Sequence, residues 1–263
     1  MIEERIDSYI KNGFLPESKF GQNFLRDEKV ISDIISLCDI RREDKVLEIG
    51  PGLGSLSVYL SDLTDDLTLI EIDKRLASFL EADEDVKAEV ISSDYLKLTD
   101  YDADKFDVVV SNLPYYVMTD IMKKLFDECV NARKMVFMVE KDALARIMAP
   151  AGTKQYGPLA VLCSLYGEVK HEFDVPRNCF VPAPNTTSCV ISLTRGNEAI
   201  PSGFVKFLNR AFAMRRKKLV NNIKEAGNFL EDLGLDPGIR AEQLTPSEFS
   251  ALYNAIMLDA DKG

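Results

Sequence analysis

One histidine, His171, stands in 263 residues, and none of the five cysteines (Cys38, Cys129, Cys163, Cys179, Cys189) forms a C-x-x-C pair. That scarcity removes several kinds of chemistry. A histidine-based triad or metal centre would have to use His171, which sits in the alternating stretch H-E-F-D-V-P as a strand-surface residue. Thiols odd in number and widely spaced indicate neither a zinc site nor a disulfide framework, and they read as buried groups of a reducing cytosol. No apolar run reaches the roughly 18 residues that a membrane span needs. The acidic start M-I-E-E-R-I-D lacks the apolar centre of a secretion signal, so a cytoplasmic protein is expected. Bases are short as well. With 32 lysines and arginines against 43 acids, the formal charge of −11 disfavours a nucleic-acid partner, apart from one local exception. What remains is a globular composition, 46% apolar and 29% charged, long enough for one large domain or a large one with a small appendage.

Strand-like and helix-like patterns alternate through the first two thirds. K-V-L-E-I (45–49), L-T-L-I-E-I (67–72), V-K-A-E-V-I (86–91), F-D-V-V-V-S (106–111) and K-M-V-F-M-V (134–139) read as strands. Helices are expected at 55–63, 74–80 and about 118–130, and another opens at D-A-L-A-R-I-M. Repeated strand–helix units imply an α/β fold: a parallel, Rossmann-like sheet with helices on both faces. V-K-H-E-F-D-V (169–175) and S-C-V-I-S-L (188–193) follow without a long helix between them, which predicts an antiparallel pair at the sheet edge. Turn residues at 195–203 then give way to helix patterns. The expected division is a catalytic domain over 1–200 and a small helical domain over 201–263.

V-L-E-I-G-P-G-L-G-S-L-S (46–57) is a strand, a glycine-rich turn and a helix start. Gly50, Gly52 and Gly54 are spaced G-x-G-x-G, whereas a dinucleotide fingerprint would want its third glycine where Ser55 stands. The spacing fits better a loop holding S-adenosyl-L-methionine, which has no pyrophosphate to place on a helix N-terminus. Glu71 ends the second strand, where a carboxylate accepts both hydroxyls of a ribose. Asp73 is a helix N-cap candidate. Asp94 ends the third strand, where it can accept an adenine amino group. Alone, each acid would be an ordinary cap; three ligand-type groups on successive strand ends point to one crevice.

The fourth strand ends in N-L-P-Y (112–115). The exocyclic nitrogen of adenine is a poor nucleophile because its lone pair is delocalised into the ring. Two acceptors, the Asn112 side-chain oxygen and the Leu113 carbonyl, would draw it towards sp³ geometry and stabilise its developing charge. Pro114 holds Leu113 extended and so aims that carbonyl. Tyr115 can stack on a base taken out of its helix. Phe180, in the rigid loop F-V-P-A-P (180–184), would complete a sandwich, its alternative being core packing. No general base is required, because the sulfonium leaving group is already activated.

These segments, with K-F-G-Q-N-F-L (19–25), A-G-T-K-Q-Y-G (151–157), V-P-R-N-C-F-V-P-A-P (175–184), F-A-M-R-R-K-K-L-V-N-N (212–222) and R-A-E-Q-L (240–244), closely resemble the small-subunit ribosomal RNA adenine dimethyltransferases of the KsgA type. The resemblance runs through essentially the whole chain in order. It implies a class I methyltransferase domain plus a small helical domain, converting two adjacent adenosines near the 3′ end of small-subunit rRNA to N6,N6-dimethyladenosine within an immature 30S particle. It further implies cofactor contacts at Asn23, Leu25, Gly50, Glu71, Asp94 and Asn112, to which the neighbouring Gly52, Ile72 and Tyr95 are joined. Base contacts are implied at Asn112, Leu113, Pro114, Tyr115 and Phe180. N-T-T-S (185–188) departs from the family's usual valine–aspartate before the last strand.

The local exception in charge lies between Lys206 and Lys224: seven bases (Lys206, Arg210, Arg215, Arg216, Lys217, Lys218, Lys224) and no acids. On a continuous helix Lys206, Arg210, Lys217 and Lys224 share one face, opposite Phe204, Leu208, Phe212, Leu219 and Ile223. Arg215 and Arg216 fall near the apolar stripe, so either the helix breaks there or one arginine is paired. Most such runs are solvated helix faces; this density on an acidic protein favours an RNA-phosphate surface. Two other functions fit less well. A large-subunit rRNA methyltransferase of the macrolide-resistance type usually reads N-I-P-Y and lacks the 151–157 and 240–244 features. A non-catalytic ribosome-assembly factor would have no chemical use for Asn112, Tyr115, Glu71 and Asp94 together. Nothing requires more than a monomer.

Overall fold

The computed structural model describes residues 2–11 and 13–260; the last three residues of the expected C-terminal domain lie outside that range. Helices are α1 (Ile2–Lys11), α2 (Glu28–Cys38), α3 (Ser57–Leu63), α4 (Lys74–Glu81), α5 (Met118–Glu128), α6 (Leu144–Ile147), α7 (Pro158–Tyr166), α8 (Phe204–Ala211) and α9 (Pro246–Ala260). Strands are β1 (Phe24–Leu25), β2 (Lys45–Ile49), β3 (Asp66–Glu71), β4 (Glu89–Ser92), β5 (Val108–Asn112), β6 (Lys134–Glu140), β7 (Gly167–Val175), β8 (Phe180–Val181) and β9 (Ser188–Arg195).

The main sheet has the order β4-β3-β2-β5-β6-β9-β7. Its first five strands are parallel, and β9 runs antiparallel to both β6 and β7. Apolar runs such as Val108, Val109 and Val110 are buried, as strands covered on both faces require. The antiparallel edge pair expected from the sequence forms, with β9 inserted between β6 and β7. Strand order reverses between β2 and β5, so the C-terminal ends of β2, β3, β4 and β5 open onto one crevice at the switch point. A second sheet has only β1 and β8, pairing Phe24 with Val181 and Leu25 with Phe180.

Two elements differ from the sequence expectation, and a third decides between alternatives that the sequence left open. The helix opening at residue 142 is a 3₁₀ turn followed by the single turn α6. Helix α7 is buried on nearly every side, so no amphipathic period announces it. The basic segment is not one helix. α8 stops at Ala211, where the Asn222 amide donates to the Ala211 carbonyl at 2.7 Å and accepts from the Met214 N–H at 3.2 Å. Lys206, Arg210, Lys217 and Lys224 therefore do not share a helix face. Beyond this break, short 3₁₀ turns at 219–221 and 224–228 lead to α9. The apolar residues of the segment are still inward: Phe204, Leu208, Leu219 and Ile223 belong to the buried cluster that contains Met122 and Phe126 of α5 and Leu159 and Leu162 of α7.

All five cysteines are buried and free. His171 lies on β7 beside Asp174, its Nε2 3.0 Å from a carboxylate oxygen, as an exposed strand residue. Among the described residues no helix is long and apolar enough to cross a membrane, and no group of three potential metal ligands is present.

Candidate active site

At the end of β2 the chain turns sharply. Gly50 has φ 67° and Gly52 has φ 61°, in the left-handed region where a side chain is strained. A Cβ on Gly50 would project into open space, and one on Gly52 would stand 3.1 Å from the Phe24 ring. The first glycine thus shapes a cradle and the second lets β1 close on it. The cradle is one wall of a cleft whose other sides are β1, the end of β3 and the N-L-P-Y segment.

Glu71 faces this cleft at the end of β3 and is 4% exposed. Its oxygens accept the Gly52 N–H at 3.0 Å and the Asp73 N–H at 2.9 Å, which fixes the carboxylate plane and leaves a second lone pair on each oxygen. Burial raises its pKa above the usual carboxylate value, offset in part by those amides. Asp73 caps α4 through the Arg75 N–H and also accepts from Gln22 Nε2 at 2.8 Å, tying the segment before β1 to the start of α4.

Asp94 lies on an adjoining cavity with Tyr95, Gly50, Ile72 and Pro114. It caps the 3₁₀ turn at 95–97 by accepting the Leu96 N–H at 3.1 Å. That turn is held from α5: Lys124 donates to the Leu98 carbonyl at 2.9 Å, and Tyr101 donates to Glu128 at 2.8 Å while standing 3.2 Å from the Tyr95 hydroxyl. Ile72, 41% exposed, supplies an apolar surface between the two cavities.

The N-L-P-Y segment closes the other side. Asn112 Nδ2 donates to the Asn23 carbonyl at 3.2 Å, which sets the amide's orientation and leaves Oδ1 as an acceptor with no partner among the described residues. Asn23 is held by its own side chain, which donates to the Gly21 carbonyl at 3.0 Å. The Leu113 N–H donates to Met138 O at 3.1 Å, while Pro114 O closes a turn with the Val117 N–H. Tyr115 is half-buried and its hydroxyl bonds Ser188.

All nine cofactor candidates (Asn23, Leu25, Gly50, Gly52, Glu71, Ile72, Asp94, Tyr95 and Asn112) line one or both cavities. So do Leu113, Pro114 and Tyr115. Phe180 does not. It is 2% exposed and packs in the apolar cluster behind β1, because β8 pairs with β1. The second ring at the mouth is Tyr116, 61% exposed. Arg215 differs too: its guanidinium bonds Glu242 at 2.8 Å and the Thr153 carbonyl at 3.0 Å, joining three segments of the chain. The other six basic candidates are exposed.

Sequence reasoning missed Gln22 and Glu48. Glu48 lines the cleft, is 2% exposed and accepts from the Ser57 hydroxyl at 2.6 Å; burial pushes its pKa up to about 8. An acid inside an otherwise apolar parallel strand was the available signal. Gln22 offered none of its own beyond its place in a polar turn, although its segment G-Q-N-F-L is one that the family resemblance assigns to the cofactor and substrate entrance.

The pattern of the ribosomal RNA adenine dimethylases matches residues 13–257. The ribosomal RNA small subunit methyltransferase A of Natranaerobius thermophilus is 37% identical, covering 92% of this chain and 91% of its own length. Its counterpart from Magnetococcus marinus is 36% identical over 94% of each. Two solved structures share the fold. The dimethyladenosine transferase of Plasmodium falciparum aligns with a TM-score of 0.70 at 24% identity, covering 88% of this chain and 96% of that one. The 23S rRNA methyltransferase ErmE aligns with a TM-score of 0.61 at 22% identity, covering 89% and 99%. Both carry the Rossmann-like class I methyltransferase sheet, and with relatives above one-third identity along nearly its full length this chain belongs to the ribosomal RNA adenine dimethylase family.

Proposed function

We propose that this protein uses S-adenosyl-L-methionine to dimethylate the N6 positions of two adjacent adenosines near the 3′ end of small-subunit rRNA, acting as a cytoplasmic monomer on an immature 30S particle. The residues present suit the cofactor. Gly50 leaves room for it, the free lone pairs of Glu71 match a ribose diol, and Asp94 beside Ile72 and Tyr95 suits an aminopurine. Bound there, it supplies a methyl group on a sulfonium, a leaving group that needs no acid.

The chain's own contribution is to the nucleophile. In the first transfer Asn112 Oδ1 and the Leu113 carbonyl each accept an N–H of the target amino group, and in the second one of them accepts the single N–H that remains. This favours a pyramidal nitrogen and offsets the positive charge that grows on it until a proton departs to water. The orientation of the Asn112 amide carries this reading: with Nδ2 engaged by Asn23, the oxygen is the atom left for substrate. Tyr115 stacks on the extruded base. The exposed bases Lys206, Arg210, Arg216, Lys217, Lys218 and Lys224 of the helical region (201–263) hold rRNA phosphates, with Arg215 bracing that region against residues 153 and 242.

Incubation with methyl-labelled donor and immature small subunits, followed by mapping, tests the proposal. Label on two neighbouring small-subunit adenosines is expected. Label on large-subunit RNA, or donor binding without transfer, would overturn it.

A further inference from the structure

Outside the cofactor cleft, and sharing Asn23 and Tyr115 with it, lies a wider groove of about 1,170 Å³. One side is the loop Pro182–Pro184 with Asn185 and Thr186, the other carries Tyr116, and Glu140 stands between them at the end of β6. Its chemistry is specific. The Tyr116 ring, 61% exposed, lies against the backbone at Gly21, where a Cβ would stand 3.4 Å from it. Such a ring is a platform rather than a core residue. Glu140 is half-buried and its side chain makes no hydrogen bond or ion pair among the described residues, yet its charge is felt at the Tyr115 hydroxyl, which burial and this carboxylate both raise in pKa. Thr186 Oγ1 is buried without a hydrogen-bond partner. No lysine or arginine lines the groove among the described residues. Of the cations beside it, Lys141 is paired with Asp174, Arg177 donates to the Pro184 carbonyl and Lys19 is paired with Glu17.

A groove with an aromatic platform, an unpartnered carboxylate and no cation is unsuited to phosphate and suited to a neutral base bearing N–H donors. We infer that it is a subsite for the nucleoside flanking the target in the RNA chain, its base stacked on Tyr116 and its exocyclic amino group donated to Glu140. The inference rests on the enzymatic reading above. One consequence concerns neighbouring adenosines. Dimethylation removes both N6 hydrogens, so a finished neighbour no longer satisfies Glu140. The carboxylate therefore imposes an order: the adenosine whose flanking base is still unmodified is the better target.

Small subunits reconstituted with rRNA that carries either adenosine or purine riboside, which lacks the 6-amino group, beside the target give the test. For the wild-type protein kcat/KM should fall at least about tenfold with purine riboside, because a site built to bond a donor rejects its analogue. Glu140→Ala should lose that preference, Glu140→Gln should keep part of it, and Tyr116→Ala should raise KM for both substrates. An equal purine riboside penalty in the wild type and Glu140→Ala would overturn the subsite. Failure to methylate any particle would instead overturn the enzymatic reading on which it stands, so the two failures are distinguishable.

Discussion

Glu48→Gln should change how stability depends on pH. The Glu48 carboxyl titrates at about 8 in the folded chain because it is buried, against 4.5 as an ordinary glutamate. Below pH 4.5 folded and unfolded chains both carry the proton, so this group makes no difference between them. As pH rises towards 8 the unfolded chain releases its proton while the folded chain retains it, and stability falls. Above about 8 the folded chain ionises as well and the loss is complete. At roughly 1.4 kcal/mol per decade of proton activity, the difference amounts to on the order of 3–5 kcal/mol. Glutamine keeps the volume and the Ser57 hydrogen bond but has no proton to lose. Urea unfolding at half-unit steps from pH 5 to 9 measures both proteins. The stability of Glu48→Gln relative to wild type should climb by a few kcal/mol between pH 5 and 8 and then level off. Glu71, also raised by burial, is present in both proteins, and its charge adds to the rise at Glu48. A difference independent of pH would refute the assignment of a protonated carboxyl to this strand.

Asn112→Ala should lower kcat by roughly 10²–10³, as loss of one preorganised partner does, while cofactor affinity measured by calorimetry falls only modestly; unchanged turnover would refute its role. Gly50→Ala should weaken cofactor binding at least tenfold, since its methyl enters the cradle and its φ of 67° strains the residue by about 1–2 kcal/mol. Tyr101→Phe, releasing the turn that presents Asp94, should raise KM for the donor a fewfold at constant kcat, read from steady-state kinetics. Lys217→Ala should reduce the salt slope of RNA binding by about one, whereas Arg215→Ala should lower the unfolding midpoint and leave that slope nearly unchanged.

What could be read in the sequence was what depends on local order. Strand ends, the glycine turn and the acids that follow them are fixed by short-range geometry, so Gly50, Glu71, Asp94 and Asn112 converge as their spacing implies. Partners brought from afar were not legible. Nothing in R-R-K-K announces that Arg215 would find Glu242, nor does Q-N-F announce that Gln22 would find Asp73. Phe180 illustrates the same limit: its loop reads as a rigid ledge, but the strand pairing with Leu25 turns the ring inward. A break in the basic helix was one of two outcomes its sequence allowed; what was not legible is its agent, the Asn222 amide eleven residues downstream of Ala211.

The two-stranded sheet of β1 and β8 joins Phe24 to Val181. A polypeptide emerging from its own translation would thus display the glycine turn and the N-L-P-Y loop long before β1 met the strand it pairs with. A fragment ending near residue 160 would own every residue that lines the cleft, while β1, which carries Phe24 and Leu25 into it, lacked its partner strand.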